Sequence, residues 1–137
     1  MINIFKPSQK VFAHCDVPCG IYDPKPAQIA AATVLKMVEK ILALPNEMTQ
    51  AEMNSFVRMV EAKEEHARIC KQEILVLWTD FFKPEHLEKF PELHEKVWVT
   101  SKLVSENKQH VHLDAAQRLV KSVDEIASIF DQIKAGS

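Results

Sequence analysis

Residues 49–78, TQAEMNSFVRMVEAKEEHARICKQEILVLW, decide the fold. Thr49-x-x-Glu52 is a capping box, in which the threonine hydroxyl and the glutamate carboxylate can each accept a backbone N–H that the first helical turn leaves unpaired. Behind it Met53, Phe56, Val57, Val60, Ala67, Cys70, Ile74, Leu77 and Trp78 recur at helical spacing. The pattern persists for about eight turns with no proline or glycine. It predicts one long amphipathic helix packed along most of its length.

The flanking segments repeat the pattern. Pro26 suits the first position of a helix, where its missing N–H costs nothing. Ala30, Val34, Met37, Val38 and Ile41 then mark a stripe that Pro45-Asn46 ends. After the long helix, Pro84 and Pro91 bound a loop over 81–91, with one helical turn at Glu85–Lys89. A third helix follows Pro91 and is expected to bury Leu93, Val97, Trp98 and Val104. Asp114-x-x-Gln117 is read as the cap of a fourth, striped by Ala116, Leu119, Val120, Val123, Ile126, Ala127, Phe130 and Ile133. Four amphipathic helices with short connections predict an all-α fold, an antiparallel four-helix bundle, preceded by an irregular arm over 14–26.

Composition narrows the function. At 137 residues and 47% hydrophobic, the chain is long enough for one domain with a real core. A net charge of -2, with no basic run, excludes a nucleic-acid footprint. No apolar segment approaches the ~18 residues of a membrane span. Three cysteines do not make a disulfide framework. Residues 1–13 lack the apolar stretch of a secretory signal, despite the small or aliphatic Val11 and Ala13 near their end. They read as a short leader removed by another protease, leaving 14–137 as arm plus bundle in the cytoplasm, where thiols stay reduced.

Helical bundles often hold di-iron centres, which need Glu-x-x-His pairs. The residues three before His66, His86, His94, His110 and His112 are Lys63, Lys83, Pro91, Asn107 and Gln109, so that reading fails. His66 and Cys70 stand one turn apart, but Cys70 lies on the apolar stripe and reads as core. His110 and His112 read as a solvated pair, and His86 and His94 as surface or satisfied core residues. The stretch His14-Cys15-Asp16-Val17-Pro18-Cys19-Gly20-Ile21-Tyr22 differs, because it lies on no helical stripe and packing does not explain its thiols. Two thiolates and an imidazole suit one soft or borderline metal ion; a Cys15–Cys19 disulfide is the competing reading.

From His14 to Pro24 the arm resembles, at every fixed position, the nickel-hook signature His-Cys-Asp-x-Pro-Cys-Gly-x-Tyr-Asp-Pro of nickel superoxide dismutases. Leu77-Trp78-Thr79-Asp80-Phe81-Phe82-Lys83-Pro84 is similar to a second block of that family, and Pro91-Glu92-Leu93-His94 to a third. The resemblance implies a homohexamer of four-helix bundles with one nickel ion per subunit. It implies as ligands the His14 α-amine and imidazole, the Cys15 amide nitrogen and thiolate, and the Cys19 thiolate. Such a nitrogen and sulfur set suits square-planar nickel(II) and stabilises nickel(III), so superoxide would be converted to oxygen and hydrogen peroxide by cycling between the two.

By the same resemblance Tyr22 gates the metal and orders small anions, Lys83 attracts superoxide, and Asp16 helps to hold the hook. Three departures stand out: Phe81 replaces a family tyrosine, His66 an arginine and Ala30 a glutamate. A further consequence concerns the amine. With Ala13 bonded to His14 there is no α-amine to donate, so the uncleaved chain is expected to be inactive or weakly active, and a maturation peptidase cutting Ala13–His14 is the implied partner. The rival readings are a noncatalytic helical protein that binds or traffics copper(I) or zinc, and a helical assembly whose arm is disulfide-bonded.

Overall fold

A computed structural model describes residues 20–136. Gly20 opens them at φ +93, a left-handed conformation that glycine adopts without steric cost. Asp23 then accepts the Lys25 N–H at 2.8 Å, and α1 (Lys25–Leu42) begins behind Pro24, with Pro26 in its first turn. Its buried face of Ala27, Ala30, Ala31, Val34 and Val38 is short-chained, which lets neighbouring helices approach closely; Met37 and Ile41 are only half-buried.

The capping box forms as read. The Thr49 N–H donates to Glu52 Oε2 at 2.7 Å, the Glu52 N–H donates to Thr49 Oγ1 at 3.3 Å, and α2 runs Gln50–Val76. The Thr49 N–H, and after it the Thr49 hydroxyl, which donates to Glu52 Oε2 at 2.7 Å, hold the Glu52 carboxyl below its ordinary range. The buried line of α2 starts later than the apolar pattern suggests: Ala67, Cys70 and Ile74 are enclosed, whereas Met53 and Val57 are exposed. The first turns of α2 extend past the shared core.

Three further elements complete the bundle. A short α3 (Pro84–Lys89) matches the helical turn expected there. Then come α4 (Leu93–Gln109) and α5 (Leu113–Ala135). Each of α1 and α4 packs against both α2 and α5, so the four long helices form a closed ring around one core, the four-helix bundle expected. Among the described residues, no helix is long and apolar enough to cross a membrane.

Two details of α4 and α5 correct the sequence reading. Trp98 is 59% exposed, with Lys102 Nζ 5.5 Å above its ring, instead of buried. The core line of α4 is Leu93, Val97, Thr100, Val104 and Asn107, at steps of three and four residues; Trp98, one residue past Val97, is turned about 100° away from it. Helix α5 starts behind His112, not Asp114, and Asp114 in its first turn accepts from Arg118 Nε at 2.7 Å.

The buried polar groups on these faces find partners, except that Asn107 Oδ1 has none among the described residues. The Thr100 hydroxyl donates to the Lys96 carbonyl at 2.7 Å, which leaves Ser122 as donor in the 2.5 Å contact between their hydroxyls. Asn107 Nδ2 donates to the carbonyls of Leu103, at 2.9 Å, and Ala115, at 3.0 Å, closing the corner between α4 and α5. The side chain of Lys63 on α2, 2% exposed, reaches the same corner. Its ammonium donates to the Asn107 carbonyl, to that of Lys108 at 3.0 Å and to that of His110 at 3.4 Å, with Glu64 Oε1 also 3.4 Å away.

Those carbonyls form the negative end of α4 and would otherwise be unpaired. Lys63→Met keeps a long apolar stem but removes their donor. The expected loss is roughly 2–3 kcal/mol, read as a lower urea midpoint at unchanged slope. A loss below about 0.5 kcal/mol would mean that water replaces the ammonium.

Candidate metal centre

The helix α2 does not end cleanly. Its last residues widen into a π-turn over Leu77–Phe81, closed by the Phe82 N–H on the Leu77 carbonyl at 2.9 Å. The Thr79 hydroxyl donates to the Leu75 carbonyl at 2.8 Å across the same stretch. Single π-turns of this kind cluster at functional sites. The sequence reading ended the stripe at Trp78 and did not foresee this one.

The π-turn sets Phe81 at the centre of an aromatic group. Its ring centroid lies 4.4 Å from Phe130 of α5, 5.3 Å from Phe82, 5.7 Å from His86 and 5.8 Å from Tyr22. Tyr22, half-buried, thus packs against the phenylalanine that replaces a family tyrosine, two residues past Gly20. Lys83 follows two residues after Phe81, exposed, in an extended conformation ahead of Pro84. Its N–H donates to His86 Nδ1 at 3.1 Å. The expected ligands His14, Cys15 and Cys19, like Asp16, lie outside the described residues.

The remaining donors test whether the bundle could hold a metal elsewhere. Among the described residues, no three of histidine, cysteine, aspartate and glutamate gather into a site. Cys70 is fully buried, and burial pushes its thiol up to about 12, so it stays protonated at neutral pH. The Nδ1 of His66, one turn before it, is 2.9 Å from the Ala62 carbonyl, to which it can only donate. The core reading of Cys70 holds. The other two cysteines of the sequence are Cys15 and Cys19; a metal held by them, with the adjacent His14, would have a nitrogen and sulfur donor set that suits nickel.

A family model described as nickel-containing superoxide dismutase matches residues 9–134. The chain belongs to the nickel-containing superoxide dismutase family. The nickel superoxide dismutases of Streptomyces seoulensis and Streptomyces coelicolor are each 37% identical to it over 132 residues, covering 96% of this chain and 96% of theirs. A solved nickel-containing superoxide dismutase, with nickel ligation in a partly X-ray-reduced state, superposes with a TM-score of 0.78 at 35% identity, covering 89% of this chain and 99% of its own. A native nickel superoxide dismutase structure gives 0.77 at 36%, covering 88% and 99%. As a member of this family the chain is a nickel-dependent oxidoreductase whose substrate is superoxide. The copper(I) or zinc trafficking alternative gains no support.

Two residues in contact with Phe81 went unnoticed in the sequence. Phe130 was read only as one member of the α5 stripe. His86 carried a faint signal, since it stands three residues after the residue before Pro84, where a side chain can reach back to cap a helix. The inert thiol gives a direct check. In the folded protein, iodoacetamide at pH 8 is expected to label Cys70 at least about a hundredfold more slowly than in the unfolded chain, as followed by mass spectrometry of its peptide. Labelling at equal rates would mean that the core opens at α2.

Proposed function

We propose that this chain is the precursor of a superoxide dismutase in which residues 1–13 are a leader and 14–137 the working domain, and that cutting Ala13–His14 frees the amine that completes the metal site. The observation that carries the reading is the run His14 to Pro24, which keeps every side chain of the hook signature but leaves the His14 nitrogen in a peptide bond. A second point supports it. The solved relatives are matched over 99% of their length by only 89% of this chain, a surplus the size of a short leader.

In this reading the His14 amine and imidazole, the Cys15 amide and thiolate and the Cys19 thiolate hold one nickel ion per subunit. When bound, nickel supplies a one-electron couple at which two superoxide ions and two protons become oxygen and hydrogen peroxide. The protein does the rest. Lys83 raises the local concentration of the superoxide anion by its charge. Tyr22 controls access and orders small anions, while Phe81 and Phe130 fix its ring from behind. Asp16 steadies the hook. Phe81 has no hydroxyl, so one hydrogen bond to water or substrate that the family tyrosine can make is lacking.

The reading includes a maturation peptidase, a cytoplasmic location and a homohexamer. Assembly is consistent with large apolar residues left exposed on a single subunit, among them Ile21 at 65%, Val57 at 61%, Trp98 at 59% and Ile29 at 56%.

The deciding experiment compares the chain cut after Ala13 with the uncut chain, both loaded with nickel, by superoxide dismutation. The cut form should be active and the uncut form at least about tenfold weaker; equal activity would refute the amine-ligand argument. In the cut enzyme, Phe81→Tyr should alter the pH dependence of turnover. Superimposable pH profiles would exclude a role for the missing hydroxyl.

A further inference from the structure

His86 holds Lys83 at both of its backbone polar groups. Its ring Nδ1 accepts the Lys83 N–H at 3.1 Å, and its own N–H donates to the Lys83 carbonyl at 2.9 Å. Lys83 sits at φ -125, ψ 165, the extended conformation that the following proline favours. The N–H of such a residue just before a short helix is otherwise left to water. An accepting Nδ1 places the ring proton of a neutral histidine on Nε2.

The same ring has a second set of contacts. It stacks on Phe81 at 5.7 Å and 26°, and meets Phe82 edge-on at 6.3 Å and 85°. Phe81 is the ring against which Tyr22 packs. One half-buried side chain therefore links the backbone of the lysine to the aromatic support of the tyrosine. The rings fix its plane, and the fixed plane aims Nδ1 at the Lys83 N–H.

We propose that His86 is a positioning residue for superoxide turnover, acting through its Nδ1 bond to the Lys83 backbone to fix where the Lys83 ammonium leaves the start of α3. The proposal rests on the reading of Lys83 as the cation that attracts superoxide. His86 itself touches neither metal nor substrate.

Two substitutions separate the bond from the ring. His86→Phe keeps an aromatic ring without the acceptor. His86→Gln restores an acceptor at the position where glutamine closes capping boxes, without the ring. Amide hydrogen exchange at Lys83 in the nickel-free protein reads the bond without recourse to activity. Protection should survive in His86→Gln and be lost in His86→Phe.

In the cut, nickel-loaded enzyme, His86→Phe should lower kcat/KM about three- to tenfold and flatten its dependence on ionic strength, as Lys83→Met does. His86→Gln should stay within about twofold of the parent. In a Lys83→Met background, His86→Phe should add nothing, because the two act as one unit.

Full additivity of the two substitutions, or an equal loss in His86→Gln and His86→Phe at equal nickel content, would overturn the positioning role while leaving the reading of Lys83 intact. A Lys83→Met enzyme with parental kcat/KM and salt dependence would instead refute that reading, and this proposal with it. The glutamine variant and the exchange measurement decide the matter even where the phenylalanine variant folds poorly.

Discussion

The contact of Tyr22 with Phe81, backed by Phe130 only 4.4 Å behind it, is the constraint on which the functional end of this protein depends. Gly20 turns the chain with a positive φ, and two residues later Tyr22 is seated on a ring held by α2 and α5 together. An aromatic pair of this kind contributes about 0.5–1.5 kcal/mol beyond the area it buries, which is modest. Its value lies in where it acts. It registers the start of the described chain against the far end of the longest helix, and the π-turn is what places Phe81 there. The Phe82 N–H bonds to a carbonyl five residues back instead of four, so the residues after Leu77 are rotated away from the stripe that Cys70 and Ile74 define.

How much of this was legible in the sequence follows from what kind of signal each feature leaves. The stripes of α1 and α5 and the Thr49–Glu52 capping box are local; the box formed as read, and so did the stripes except at Met37, Ile41, Val120 and Ile133, which are half-buried. The buried line of α4 was harder, because Thr100 and Asn107 occupy core positions that hydrophobicity does not mark. They are tolerated only because Ser122, Leu103 and Ala115 supply partners from the adjacent turn or from α5. Lys63 is the same case in stronger form, since a lysine in a polar stretch gives no hint that three carbonyls at the end of α4 await it. Trp98 misled in the opposite direction: its bulk suggested core, but one residue of helical rotation sets it outside.

For the candidate site, the division is sharper. His14, Cys15 and Cys19 stood out because chemistry-bearing residues crowded a segment with no helical stripe, a signal that needs no tertiary structure. Tyr22, Phe81 and Lys83 came into view through likeness to a family. His86 and Phe130 came from neither, because what matters about them is a neighbour distant in sequence or a ring nitrogen pointing backwards along the chain. A short helix of six residues, Pro84–Lys89, is enough to create that geometry.

The bundle also suits its chemistry by what it withholds. Cys70, the one cysteine among the described residues, is fully buried and its thiol is pushed up to about 12. It offers no competing thiolate to a soft metal and no exposed sulfur to hydrogen peroxide. Among the described residues no acid or imidazole cluster could take a metal either. In the proposed reading, redox chemistry belongs to donors in the arm, and the helices are left with alignment. With a phenylalanine at 81, even the ring beneath Tyr22 is without a polar group. If Lys83 is the cation that attracts superoxide, as proposed, its exposed side chain has freedom that its pinned backbone does not. On that proposal the backbone anchor, more than the lysine's own contacts, is the element that decides where the charge is presented.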